Sequence, residues 1–159
     1  MKGHDEIIAV LNDLLAGELT AADQYFIHSR MYDDWGMKAL FERIGHEHQD
    51  ELEHADDLIK RILFLGGRPD LSRRDPLRVG ATVPEMLKND LDVEYEVTAA
   101  LKAAIALCER LQDYETRRIL VKMLTDTEID HAYWLEKQLG LIEKMGLQNY
   151  IQSVSGAGS

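Results

Sequence analysis

Glu-x-x-His occurs twice in this chain, as Glu51–His54 and Glu128–His131, and both copies sit inside apolar stretches with helical spacing. A lone glutamate in a similar stripe precedes each, Glu18 before the first and Glu94 before the second. Residues three apart share one face of a helix, so each pair points its carboxylate and imidazole the same way. An ionised carboxylate in an apolar stripe costs several kcal/mol unless it is paired or coordinated. The fold must therefore press these stripes against one another. Four helices that turn Glu, Glu-x-x-His, Glu and Glu-x-x-His toward a common axis supply the ligands of a two-metal carboxylate site.

The apolar spacing predicts an all-α chain with four long helices. The first runs from about His4 to Asp34, with Ile7, Leu11, Leu14, Glu18 and Tyr25 on one face. The second runs from about Gly36 to Leu65 and carries Leu40, Ile44, Glu51, His54, Leu58 and Ile62. The third starts at the N-cap Thr82, ahead of Pro84 and Glu85, and turns Leu87, Glu94, Leu101, Ile105 and Cys108 inward. The fourth runs from about Asp113 to Lys144, with Leu120, Leu124, Glu128, His131, Leu135 and Ile142 on its stripe, and Gly146 ends it. Leu147 to Val154 is a short C-terminal helical piece, and 155–159 reads as a disordered tail. The connections at Asp33–Gly36 and Leu111–Asp113 fit only antiparallel hairpins. Between them lies Gly66 to Thr82, 17 residues that include Pro69 and Pro76. Extended, this crossover spans roughly 56 Å, against about 45 Å for a 30-residue helix. It can run the length of the bundle and bring the third helix in parallel to the second. The length suits one domain, 1–159.

Four clustered carboxylates repel one another unless cations join them. Two divalent ions balance the charge, and the imidazoles ligate as neutral donors. Oxygen ligands with one nitrogen per metal suit iron or manganese, and the absence of a thiolate argues against structural zinc. The competing arrangement is a set of buried ion pairs with Arg61, Lys102 or Arg117. Tyr25, seven residues past Glu18, is a further candidate to bond a ligand carboxylate or pass an electron; it is equally a core aromatic, and Trp134 beside His131 has the same two readings. His46 and Asp50 can hold a third, solvent-facing metal, or form an exposed helix pair; Glu47, one turn before Glu51, can bridge toward the metals or the solvent. His28 and His48 have no assignment, and Met31, Met86 and Met123 read as packing.

A net charge of −11 without a basic stripe excludes a nucleic-acid backbone as partner. No run of 18 apolar residues predicts a membrane span. The first residues lack a signal-peptide core, and Cys108 is the only cysteine, so a cytoplasmic location is expected.

The chain resembles the bacterioferritins and the closely related bacterial ferritins from Met1 to about Gln152. The marks include Gly17-Glu18-Leu19, Asp23 to Met31, Glu51-Leu52-Glu53-His54-Ala55-Asp56, Arg61 to Leu65, Tyr133-Trp134-Leu135-Glu136 and Met145 to Tyr150. The resemblance implies a ferritin-like four-helix bundle with the long crossover and a short C-terminal helix. It implies iron storage and detoxification in a 24-subunit shell, with a ferroxidase that oxidises ferrous iron by dioxygen or peroxide at an intrasubunit di-iron centre. The family's ligands map onto Glu18, Glu51, His54, Glu94, Glu128 and His131, with Glu51 and Glu128 bridging. Its inner-surface iron site maps onto His46 and Asp50. Haem-binding members place Met, as an axial ligand, where this chain has Leu52, which offers iron no donor; many carry an aromatic where this chain has Gly45. Haem b is therefore not expected in a homopolymer, and a mixed shell with a haem-binding sister subunit becomes the alternative to a homo-oligomer. A ferredoxin-type reductant for iron release is the other implied partner. Competing functions are a di-iron peroxidase or oxygenase in a small assembly, and a mainly structural subunit of a mixed shell.

Overall fold

The computed structural model describes residues 1–155, and these contain helices and no strand. The helices are α1 (Asp5–Asp34), α2 (Lys38–Phe64), α3 (Val83–Arg110), α4 (Tyr114–Thr125), α5 (Tyr133–Met145) and α6 (Leu147–Val154). Between α4 and α5 the chain makes a π-helical turn, Asp126–Ala132. The flanking backbone stays right-handed helical, so α4, the turn and α5 form one rod. Four rods and a short terminal helix make the expected ferritin-like bundle. Of the tail expected at 155–159, all but Ser155 lies outside the described residues.

Local chemistry sets the ends. Gly36 takes φ +78° after α1, and the Met37 N–H reaches back to the Tyr32 carbonyl at 2.9 Å. Thr82 caps α3 by accepting from the Glu85 N–H at 3.3 Å. Asp113 caps α4 by accepting from the Thr116 N–H at 3.0 Å. The first helix has no side-chain cap. Its approach is held instead by Gly3 N–H, bonded to the Leu65 carbonyl at 2.8 Å.

A polar stripe on α1 lays down the crossover. Asn12 Oδ1 accepts from the Asp70 N–H (2.9 Å), Thr20 Oγ1 from Asp75 (2.8 Å), Gln24 Oε1 from Arg78 (3.1 Å) and His28 Nε2 from Gly80 (3.1 Å). The acceptors ascend α1 as the donors ascend the crossover, so the connection runs the bundle's length and α3 enters parallel to α2. His28 thus has a structural post: its Nδ1 also meets the fully buried Asp90 at 2.9 Å.

The core is continuous, from Ile7, Leu11 and Leu15 through Leu40, Ile44, Leu58 and Ile62 to Leu87, Leu101 and Leu120. Met86 and Met123 are packed inside it, as expected, and Met31 packs against it. Ile105, Leu124 and Ile142 are only partly buried and pack on its edge. In the middle the apolar layer gives way to carboxylates and imidazoles.

Candidate metal centre

Five of the six expected ligands converge there. Glu18 from α1, Glu51 and His54 from α2 and Glu94 from α3 are at most 5% exposed, as is His131 from the π-helical turn. They form two triads, Glu18–Glu51–His54 and Glu51–Glu94–His131, with the ligand atoms of each triad within 4.8 Å of one another. Glu51 belongs to both. His54 Nδ1 lies 3.5 Å from Glu18 and 3.6 Å from Glu51. His131 Nδ1 lies 3.0 Å from Glu51 and 3.5 Å from Glu94. The two rings are 6.2 Å apart, nearly parallel at 28°. Each imidazole therefore turns the same nitrogen toward one end of a shared carboxylate.

Outer partners fix that orientation. His54 Nε2 meets Asp126 at 3.0 Å. His131 Nε2 meets Asp50 at 3.2 Å and also Glu47. A carboxylate on the far nitrogen holds a metal-binding imidazole in place and raises its basicity. Tyr25 O–H donates to Glu94, which keeps Tyr25 at the centre rather than as packing alone.

The residues fit divalent ions because their inward atoms lack partners. Both Glu18 oxygens, Glu51 Oε2, Glu94 Oε2, His54 Nδ1 and His131 Nδ1 are buried and have no hydrogen-bond partner within the protein. Such orphaned groups are costly unless something else satisfies them. Without metal, protons carry part of that load. Burial would push His54 down, but Glu51 and Asp126 outweigh it and carry its pKa up to about 9. His131 is likewise raised against burial by Asp50, Glu47, Glu51 and Glu94. Burial and the Glu51 charge push Glu94 up to about 7. Metal must displace these protons.

The sixth expected ligand, Glu128, stands apart. Its side chain is 45% exposed and lies 3.4 Å from Lys102, the partner that the ion-pair alternative proposes. The cause is the π-helical turn. With i→i+5 bonding each turn holds more residues, so three positions no longer return to the same face. Thr127 and His131 point inward and Glu128 points out. Periodicity on an α-helical template cannot register this shift. The same turn brings in Asp126, which sequence reasoning missed and for which no pattern signal exists.

His46 and Asp50 are 3.4 Å apart, with His46 exposed. Together with the buried Glu47 they form a third cluster of metal-type ligands. Asp50 and Glu47 also touch His131, so this cluster is continuous with the two triads. Leu52 is 40% exposed, and a side chain at Gly45 would meet nothing within 4 Å. His48 Nδ1 bonds the Ala22 carbonyl, and its ring stacks on Phe26 at 5.0 Å.

Residues 8–145 match the family model described as a ferritin-like domain. A protein named bacterial ferritin from Synechocystis sp. is 67% identical over 153 residues, covering 96% of this chain and 98% of that protein. One of the same name from Pseudomonas aeruginosa is 59% identical over 153 residues, covering 96% and 99%. A bacterioferritin from Mycolicibacterium paratuberculosis is 43% identical over 150 residues, covering 94% of each.

Proposed function

The chain belongs to the family of bacterial ferritins and bacterioferritins, and on that premise we propose that it stores iron as a ferroxidase subunit of a closed shell of two dozen chains. Ferrous iron is the substrate. The observation that carries the reading is the shared Glu51: it faces both triads at once, so two cations can be held side by side by one carboxylate. Glu18 and His54 complete one position, and Glu94 and His131 the other. Each ferrous ion gives up one electron. Dioxygen takes two electrons and two protons and leaves as hydrogen peroxide; hydrogen peroxide takes the same and leaves as two waters. Tyr25, bonded to Glu94, orients that carboxylate. The cluster of His46, Glu47 and Asp50, which reaches from the buried Glu47 to the exposed His46, passes ferric product toward the mineral. Glu128 joins the second ion by turning in from Lys102.

Anaerobic titration tests this. The protein should take up two ferrous ions per chain, and admitting air should give a fast oxidation phase. Glu51→Ala should lose the fast phase and drop the stoichiometry below two. An unchanged fast phase in that variant would defeat the proposal. Light scattering on the same sample should give an assembly large enough to enclose mineral.

A further inference from the structure

Arg43 joins three parts of the molecule beside the metal positions. Its Nε donates to Glu47 Oε1 at 2.6 Å, its Nη2 donates to the Asp130 carbonyl at 2.6 Å, and its guanidinium lies 4.6 Å over the Trp134 ring. Glu47 is one turn further along α2, Asp130 belongs to the π-helical turn that carries His131, and Trp134 lies in the first turn of α5. The Arg43 side chain is 33% exposed, so it reaches these partners from the solvent edge.

Glu47 is the partner that matters for ions. It is 2% exposed, and an ionised carboxylate at that depth needs a cation. Its Oε2 faces His131 and has no hydrogen-bond partner within the protein. With His46 and Asp50 it makes the cluster that leads outward from the two triads. Among the described residues, Arg43 is the one lysine or arginine paired with a carboxylate of that cluster. A guanidinium does not shed its charge in a protein. It therefore competes with any ion for Glu47, and it yields only by moving. Moving is inexpensive here, because the Trp134 face, the Asp130 carbonyl and solvent still hold the displaced group.

We propose that Arg43 is a positioning residue that controls when Glu47 serves the outer cluster. Paired with Glu47, it stands where a third cation would and keeps the cluster a weak site. An arriving ion displaces it: Glu47 Oε1 turns from the guanidinium to the ion, and the guanidinium stays over Trp134. A weak outer site lets ferric product move on instead of lodging beside the centre. This deepens the reading of His46, Glu47 and Asp50 as an exit path and rests on it.

Isothermal titration of the assembled, metal-free protein with zinc tests the assignment. The wild type should take up two ions tightly per chain and a third weakly. Arg43→Met keeps an aliphatic stem and removes the charge, and should bind the third ion roughly tenfold more tightly or better. Arg43→Lys keeps a cation beside Glu47 but loses the planar fork that also reaches the Asp130 carbonyl. Its third ion should stay as weak as in the wild type. Adding Glu47→Gln to Arg43→Met should return the third ion to that weakness. Anomalous scattering from zinc-soaked Arg43→Met crystals should place the gained ion among His46, Glu47 and Asp50. A residue that only braced the π-helical turn would behave differently. Arg43→Met and Arg43→Lys would then both lose affinity at the first two positions and gain none at the third. That pattern, or a gained ion elsewhere, would overturn the assignment. Two tight ions with an unchanged third in Arg43→Met would overturn it too and leave the metal centre intact. A third ion that tightens in Arg43→Met, in a protein that does not take up the first two, would leave Arg43 its role and sink the metal-centre reading instead.

Discussion

Glu51 does more than any other side chain here, because it is the one carboxylate that both imidazoles face. The surrounding protons explain how the centre persists without metal and how metal enters it. Glu51 is held below the usual carboxylate range: burial raises it, but the neighbouring His131 and His54 prevail. The histidines pair with it as cations. His54 has a folded value of about 9, above its ordinary value of about 6.5. Its contribution to metal-free stability is therefore complete below about 6.5 and is lost as pH rises through about 9. Glu94, at about 7, also sheds its proton in that window, and its charge then faces Glu51. Metal-free protein should lose thermal stability between pH 6.5 and 9, whereas affinity for cobalt, used anaerobically as a redox-inert stand-in for ferrous iron, should rise over the same range. Calorimetric melting and cobalt titration at three pH values check both slopes. An affinity independent of pH would mean that protons do not occupy the ligand atoms.

The fourth rod is the element on which the site's completion depends. Its start is secured by Asp113, which caps α4 and bonds Arg61 at 3.1 Å. Asp113→Ala should cost about 1 kcal/mol from the cap. Burial raises the Asp113 carboxyl, but Thr116 and Arg61 outweigh it and leave it depressed. The wild-type advantage is therefore present above its unfolded value, about 3.9, and fades as pH falls through the depressed folded value. Urea denaturation at pH 7 and in acid would show it. Further along, the π-helical turn has a built-in reporter. Arg43 lies 4.6 Å over the Trp134 ring and donates to the Asp130 carbonyl at 2.6 Å. If Glu128 turns in to meet metal, Asp130 and Trp134 must shift with it. In Trp35→Phe protein, Trp134 emission should change on zinc addition and level off at two equivalents per chain. Adding Glu128→Ala should suppress the change at the second equivalent. The four stripes, the hairpins and the crossover were legible because each depends on local spacing, capping or reach. The convergence of five candidate residues was legible for the same reason: Glu18, Glu51, His54 and Glu94 lie in undistorted helices, and His131 turns inward from the π-helical turn. Glu128 was not, because a single wider turn leaves no mark in a pattern of residue types. Asp126 and Asp90 were hidden too: nothing in spacing says which polar residue a neighbouring helix will present to it.

For the whole molecule, the α1–α2 face matters as much as the interior. No helix among the described residues is long and apolar enough to cross a membrane. Phe26 and Leu52 nevertheless stand 45% and 40% exposed on that face, next to the Phe26–His48 stack. Glu51 and Leu52 are neighbours on α2, so one points to the metal positions and the other away from them. Haem-binding relatives of the kind this chain resembles use the outward position for an axial methionine shared across a pair of subunits. Leucine there cannot bind iron, and Gly45, two turns before it, puts no side chain into the open space around it. If the missing sulfur alone withholds haem, Leu52→Met should yield assembled protein with a Soret band when produced with haem available, while the wild type stays colourless in that region. The exchange replaces one flexible apolar side chain by another of similar volume at a half-exposed position, so the cost to stability should be below about 1.5 kcal/mol. A Leu52→Met shell that assembles normally without the band would place the defect in the shape of the pocket rather than in its ligand. Gly45→Phe added to Leu52→Met would then be the combination to restore it. Haem in the wild-type homopolymer would show that the chain recruits a different axial donor, with His48, one turn before Leu52, the nearest candidate.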